Sequence, residues 1–265
     1  MKPRAKKRYG QHFLEAVWAE RVVQAIRPEP EDRFVEIGPG PGVLTIRLAR
    51  KIAHLTAVEI DPEMVAALAP GLPANTTIAV EDFLDFDLDL AARPGPVRVA
   101  GNLPYNAAAP ILLKLLDARR RGVALADATV MVQREVADRI EARPGTKDYG
   151  PLSIVVQLRA SVSRLLTLPP GAFRPQPKVH SAVVRLDFHE PQVAMKDEAT
   201  FHALVRSIFT QRRKTLANAL RPFGESRGIA ARDAIATAAL DGTRRPETLQ
   251  LTELARLADA FPSRD

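Results

Sequence analysis

The 265-residue chain contains no cysteine. Disulfides, zinc–thiolate sites and cysteine nucleophiles are thereby excluded. It also lacks an apolar run long enough to span a bilayer. The first ten residues are basic but lead into no apolar segment, so no secretory signal is read. Internal repeats and low-complexity stretches are absent, and with the five histidines scattered along the chain no metal site is expected. Wholesale disorder is excluded by a 46% hydrophobic content, enough for a packed core. The expectation is a soluble cytoplasmic protein with no membrane partner.

What is present begins with charge. The net charge is +7, unevenly spread. Residues 1–30 carry net +4, residues 31–150 net −3, and residues 151–265 net +6. An acidic middle between basic ends suits a small-molecule site framed by polyanion-binding surfaces. A solvated surface with a basic bias explains the same numbers.

The middle alternates short β-rich runs with helical stretches. Strands are read at 34–37, 55–60, 76–80, 97–100 and 128–133, with helices at 42–51, 61–68 and 110–119. Such alternation implies βαβ units and a mostly parallel sheet. After Gly150 the pattern changes: 153–161 and 181–188 read as strands, an antiparallel pair added to one edge. From Asp197, a good N-cap, the strand signal gives way to helices at 197–220, 230–240 and 246–260. The fold class is therefore α/β, with a small all-helical C-terminal domain. The boundary is placed near Pro191, giving domains 1–190 and 191–265.

Two segments carry chemistry. The first is Val35-Glu36-Ile37-Gly38-Pro39-Gly40-Pro41-Gly42. Three glycines at alternate positions allow a tight turn and close backbone approach to a ligand. The spacing G-x-G-x-G differs from the dinucleotide fingerprint G-x-G-x-x-G. Glu59 ends the next strand, 21 residues after Gly38, where a carboxylate can accept both hydroxyls of a ribose. Asp82, after the third strand, is placed to face an adenine amino group. A lone glycine-rich turn also suits a plain strand–helix connection. The ordered set is the pattern of S-adenosylmethionine methyltransferases, and the sheet is accordingly read as Rossmann-like, class I.

The second segment is Asn102-Leu103-Pro104-Tyr105, directly after the fourth strand. An exocyclic adenine amine is a poor nucleophile because its lone pair is delocalised into the ring. Two acceptors at its N–H groups, the Asn102 side-chain oxygen and the Leu103 carbonyl, would orient it. Pro104 stiffens the turn, and Tyr105 offers a face on which a flipped base can stack. The alternative is an ordinary turn with a buried tyrosine.

With these motifs in place the sequence resembles the ribosomal RNA adenine dimethyltransferase family over nearly its whole length. It is most similar to the bacterial small-subunit (16S) branch, the one that gives kasugamycin sensitivity. The segments that carry the resemblance are 7–14, 35–45, 101–106, 132–139, 149–153, 173–183 and 209–216. The resemblance implies dimethylation of N6 on two adjacent adenosines in the 3′-terminal hairpin of 16S rRNA, within an immature small (30S) ribosomal subunit. S-adenosyl-L-methionine is the implied cofactor and S-adenosyl-L-homocysteine the product. Cofactor contacts are implied at His12, Leu14, Gly38, Gly40, Glu59, Asp82 and Asn102, with His12 standing where the family commonly has asparagine. Arg134, Lys178, Arg212, Arg213 and Lys214 are expected to bind RNA, Arg139 to lie near them, and the arm Lys2 to Arg8 to order on RNA. Phe173 and Phe13 are candidates for a second stacking surface beside Tyr105, with core packing as the alternative. A monomer is expected. Three other readings stay open: a ribosome-assembly factor acting mainly by binding, a large-subunit RNA methyltransferase, and a DNA adenine methyltransferase.

Overall fold

The computed structural model describes Lys6 and residues 11–263. Of the basic arm Lys2 to Arg8, all but Lys6 lie outside the described residues, as do residues 7–10 of the N-terminal motif. The chain divides into two units: residues 1–137 with 160–188, and residues 138–159 with 189–265. The C-terminal change falls close to the expected boundary. The inclusion of 138–159 in the second unit was not anticipated.

The first unit holds the strands β1 (Phe13–Leu14), β2 (Arg33–Ile37), β3 (His54–Glu59), β4 (Thr76–Val80), β5 (Val97–Asn102), β6 (Leu125–Gln133), β7 (Ala160–Leu168), β8 (Phe173–Arg174) and β9 (Ser181–Phe188). Seven form one sheet in the order β4-β3-β2-β5-β6-β9-β7. The first five are parallel, and β9 and β7 add antiparallel at the β6 edge. β2 is buried on both faces from Phe34 onward, as a central strand covered by helices must be. β1 pairs with β8 in a separate two-stranded ribbon, Leu14 opposite Phe173.

Helix α1 (Ala16–Ile26) buries Ala19, Val22, Val23 and Ile26, one stripe at helical spacing, in the same core as Phe34 and Leu55. The reading of the sequence had placed no helix there. Helix α2 (Thr45–Ala49) is shorter than the expected 42–51, because the glycine turn consumes the residues ahead of it. Helix α3 (Pro62–Leu68) starts with Pro62 at its first position, and the Asp61 side chain accepts from Glu63 N–H. The remaining crossover helices are α4 (Leu88–Ala92) and α5 (Ala108–Arg120).

Helix α6 (Arg134–Glu141) carries the chain into the second unit. There the largest error of the sequence reading appears. The run from Ser153 is helical, α7 (Pro151–Arg159), and the edge strand begins only at Ala160. Its β-branched residues suggested a strand, but packing decides. Ile154 and Leu158 are buried together with Phe201 and Leu204. Ser153 Oγ donates to Arg139 O, and Gln157 Nε2 to Ile140 O and Ala142 O, so α7 side chains satisfy carbonyls at the end of α6.

The unit is completed by α8 (Glu198–Phe209), α9 (Leu216–Ser226), α10 (Ala231–Thr237) and α11 (Leu251–Ala258). Asp197 caps α8, accepting from Ala199 N–H and Thr200 N–H. The expected single helix 197–220 is broken: Gln211-Arg212-Arg213-Lys214 is a turn between α8 and α9, not a helix face. Among the described residues no helix is long and apolar enough to cross a membrane.

Candidate active site

Within the first unit the carboxyl ends of the parallel strands surround one cavity of ≈ 370 Å³. That is within the range of small-molecule pockets, and the position is where open α/β sheets bind ligands. The turn after β2 forms one wall. Gly40 and Gly42 have φ of 52° and 80°, which disfavours any side chain. Space is tight as well: a Cβ on Gly42 would lie 2.2 Å from Leu68 Cδ1, which would have to move, and one on Gly40 would lie 3.2 Å from the Phe13 ring.

Carboxyl groups line the same end. Glu59 is 4% exposed and accepts from Gly40 N–H at 3.0 Å and from Asp61 N–H at 3.0 Å, one bond to each oxygen. Burial raises its carboxyl above the ordinary value, and these backbone bonds partly offset the rise. Each oxygen keeps a second lone pair for a ligand hydroxyl. Asp82 borders the cavity, and its Oδ1 accepts from Leu84 N–H at 2.9 Å. Beside them, buried Asp61 pairs with Lys6 at 2.9 Å, and Lys6 also reaches Glu63 at 3.0 Å. Burial works to raise the Asp61 carboxyl, but Lys6 and Glu63 N–H bring it below its usual range.

Asn102, the last residue of β5, begins the opposite wall. Its Nδ2 donates to His12 O at 2.6 Å, which leaves the side-chain oxygen as the acceptor. Leu103 N–H donates to Met131 O at 3.0 Å, so the chain stays anchored to β6 as it turns. Pro104 O accepts from Ala107 N–H, closing the turn. Tyr105 is held by its hydroxyl, 2.9 Å from Ser181 Oγ, and burial raises its phenol. The His12 ring stacks on Tyr105 with centroids 5.1 Å apart and planes at 27°. His12 Nδ1 donates to Pro175 O at 2.7 Å. One loop thus carries acceptors and an aromatic face on a cavity whose far end carries carboxyls.

A family model described as ribosomal RNA adenine dimethylase matches residues 2–255. The chain belongs to that family. It is 43% identical over 262 residues to the ribosomal RNA small subunit methyltransferase A of Acinetobacter baylyi, covering 97% of this chain and 92% of that one. The protein of the same name from Xanthomonas campestris pv. campestris is 42% identical over 259 residues, covering 96% and 95%. Among solved structures, a dimethyladenosine transferase from Plasmodium falciparum superposes with a TM-score of 0.73 at 21% identity, covering 93% of this chain and 96% of that one. The 23S rRNA methyltransferase ErmE superposes at 0.66 with 25% identity, covering 94% and 99%. These neighbours carry the same α/β methyltransferase fold.

The dimethylase cavity gathers His12, Leu14, Gly38 and Gly40 with Glu59, Asp82 and the whole of Asn102 to Tyr105. Phe173 is not with them. It is fully buried in the core beside Leu14 and Leu168, so it offers no stacking face here. Phe13 does border the cavity. Of the RNA candidates in the first unit, Arg134 and Lys178 are both exposed. Arg134 N–H donates to His180 O, which ties it to the segment carrying Lys178 and leading to Ser181. In the second unit, Arg212 donates to Glu247 Oε2 at 2.9 Å and to Lys147 O at 2.8 Å, as a staple of that unit. Arg213 and Lys214 are exposed, and so is Arg139.

Sequence reasoning missed two supports of this site. Ser181 supports Tyr105, and only the fold brings it there from 76 residues away. Lys114 on α5 donates to Leu84 O at 2.8 Å and to Phe86 O at 2.6 Å, pinning the loop that carries Asp82. Ser181 falls in the segment 173–183 that carries the resemblance, but nothing in it pairs the residue with Tyr105, and no local motif marks Lys114.

Proposed function

We propose that the chain dimethylates N6 of two adjacent adenosines in the 3′-terminal hairpin of 16S rRNA, using S-adenosyl-L-methionine, during small-subunit biogenesis. The residues fit that cofactor. The glycine turn admits close approach, Glu59 suits the ribose hydroxyls, Asp82 suits the adenine amine, and a buried oxygen of Glu36, on the cavity wall, has no partner among the described residues. His12 and Leu14 complete the wall from β1, with the His12 backbone oxygen already engaged by Asn102. When bound, the cofactor supplies an electrophilic methyl on a cationic sulfur.

The chain's own residues then act on the nucleophile. Asn102 Oδ1 and Leu103 O accept the two N–H groups of the flipped adenine. They hold the nitrogen lone pair out of conjugation and aim it at the methyl. Tyr105, fixed by Ser181 and backed by His12, stacks on the base. Methylation would leave the nitrogen with one proton to shed, which would pass to solvent, since Asn102 Oδ1 and Leu103 O hold its N–H groups but are too weakly basic to keep a proton. The chemistry is positioning and hydrogen bonding, and no strong base is required. The exposed cations Arg134, Lys178, Arg213 and Lys214 suit phosphate contacts, as does the basic arm. The substrate is a particle of defined shape. The protein acts as a monomer in the cytoplasm, where small subunits are assembled.

The observation that carries this reading is the Asn102 amide. Its nitrogen is committed to His12 O, and its oxygen is left to accept beside the Tyr105 ring. The test is tritium transfer from labelled cofactor into small subunits lacking adenine dimethylation, followed by nucleoside analysis. Label is expected in N6,N6-dimethyladenosine, and with Asn102→Ala its initial rate of appearance is expected to fall steeply. Label in large-subunit RNA alone would replace this reading with that of a large-subunit enzyme.

A further inference from the structure

Glu36 lies on the proposed cofactor wall, yet no step of the proposed methyl transfer gives it a task. It is the penultimate residue of β2, opposite Ala57 on β3 and Ala100 on β5, neither of which can pair with it. Its side chain is 1% exposed, and it borders the cavity. Neither its Oε2 nor the hydroxyl of neighbouring Thr45 on α2 has a hydrogen-bond partner among the described residues. The charged group acting on it is another carboxylate, Glu59 at the end of β3. Asp61, farther along, is already paired with Lys6. A buried carboxyl with an orphan oxygen beside a like charge is a costly arrangement unless it stays protonated or a cation arrives. Burial first, with the Glu59 charge adding to it, pushes its carboxyl up to about 8.

We propose that Glu36 is a proton-linked charge sensor that favours the cationic methyl donor over its neutral product: it is an acid in the free protein, releases its proton to solvent when the donor binds, and regains it once the sulfonium has become a thioether. The inference rests on the cofactor reading above. Donor and product share the ammonium and carboxylate of their amino-acid part and differ by one positive charge at sulfur. A group that responds to that charge lets the spent cofactor leave without loosening the donor. The linkage is quantitative: below the free value of about 8, donor affinity rises with pH by up to tenfold per unit, and product affinity rises less.

The test is calorimetric titration of the whole protein with S-adenosylmethionine and with S-adenosylhomocysteine, in buffers of different ionisation enthalpy. Wild-type protein is expected to release more protons with the donor than with the product. Glu36→Gln is expected to shrink the difference and to weaken the pH dependence of the donor-to-product affinity ratio. The donor's α-amine, made more acidic by its sulfonium, and Glu59 also titrate, but they do so in both proteins, so subtracting the variant's donor–product difference from that of wild type isolates Glu36. Should Glu36→Gln fold poorly, Glu36→Asp, which keeps the acid, serves as the second variant and is expected to retain the donor–product difference. Equal proton release by both ligands in wild-type protein, or an undiminished difference in Glu36→Gln, would overturn the proposal while leaving the cofactor reading intact. A protein that binds neither ligand would overturn both.

Discussion

The two walls of the cavity use opposite physics. At the β2–β3 end, Glu36 and Glu59 are almost fully buried, and burial raises the carboxyl of each. At the β5 end stand an amide, a backbone carbonyl, a proline and a phenol made harder to ionise. On the proposed reading the first wall handles charge and the second handles geometry. A methyl donor that carries its own positive charge needs an electrostatic host. A neutral amine needs only acceptors and a stacking plane. The proposed division accounts for a cavity that combines shifted carboxyls with a turn that holds no carboxylate, amine or imidazole.

Substitutions that strike one wall at a time should separate these roles. The largest effect is expected from Asn102→Ala. Loss of one oriented acceptor should lower the single-turnover methylation rate by roughly 10²–10³-fold, as loss of one preorganised hydrogen-bonding group does elsewhere. Donor affinity measured by calorimetry should change only a few-fold. Glu59→Ala should do the reverse, weakening donor binding by about 100-fold through lost charge-assisted hydrogen bonds while the rate at saturation stays within a few-fold. An equal loss in both quantities for either variant would erase the distinction between the walls.

Glu36→Gln should reveal its effect in stability. The folded value of about 8 lies above the ordinary 4.5, so between these limits the folded state holds a proton that the unfolded state has lost. Wild-type stability should therefore fall as pH rises through that window, and the variant should not share the fall. The variant should be more stable by roughly 1–3 kcal/mol near neutrality. Denaturant melts at both ends of the window would show it, and parallel curves for the two proteins would refute it. At Tyr105, replacement by Ala should slow transfer by about 5- to 150-fold through lost stacking. Tyr105→Phe, which gives up only the Ser181 bond, should stay within about threefold in rate.

Much of the first unit was legible because its signals are local. The glycine turn, Glu59 and Asn102 to Tyr105 each sit at a strand end, and strand ends converge in a parallel sheet. The failures have physical causes. The run Ser153 to Arg159 has β-branched residues, yet it is helical because its apolar face has Phe201 and Leu204 to pack with. Arg212 looked like part of a basic helix face, but it closes a turn by binding Glu247 and the Lys147 carbonyl. Phe173 was a candidate aromatic for the base, yet pairing of β8 with β1 draws it into the core. Ser181 and Lys114 act through contacts 76 and about 30 residues distant in sequence, which no spacing rule detects.

The most direct test of the account is the pH profile of single-turnover methyl transfer to unmethylated small subunits under saturating donor, for wild-type protein and Asn102→Ala. With the amine activated by neutral acceptors alone, the wild-type rate should be flat from about pH 6 to 9, and the variant should lie parallel to it and roughly 10²–10³-fold lower. A wild-type rate that climbs with the ionisation of a single group, or a variant as fast as wild type, would contradict the claim that the β5 wall works by position.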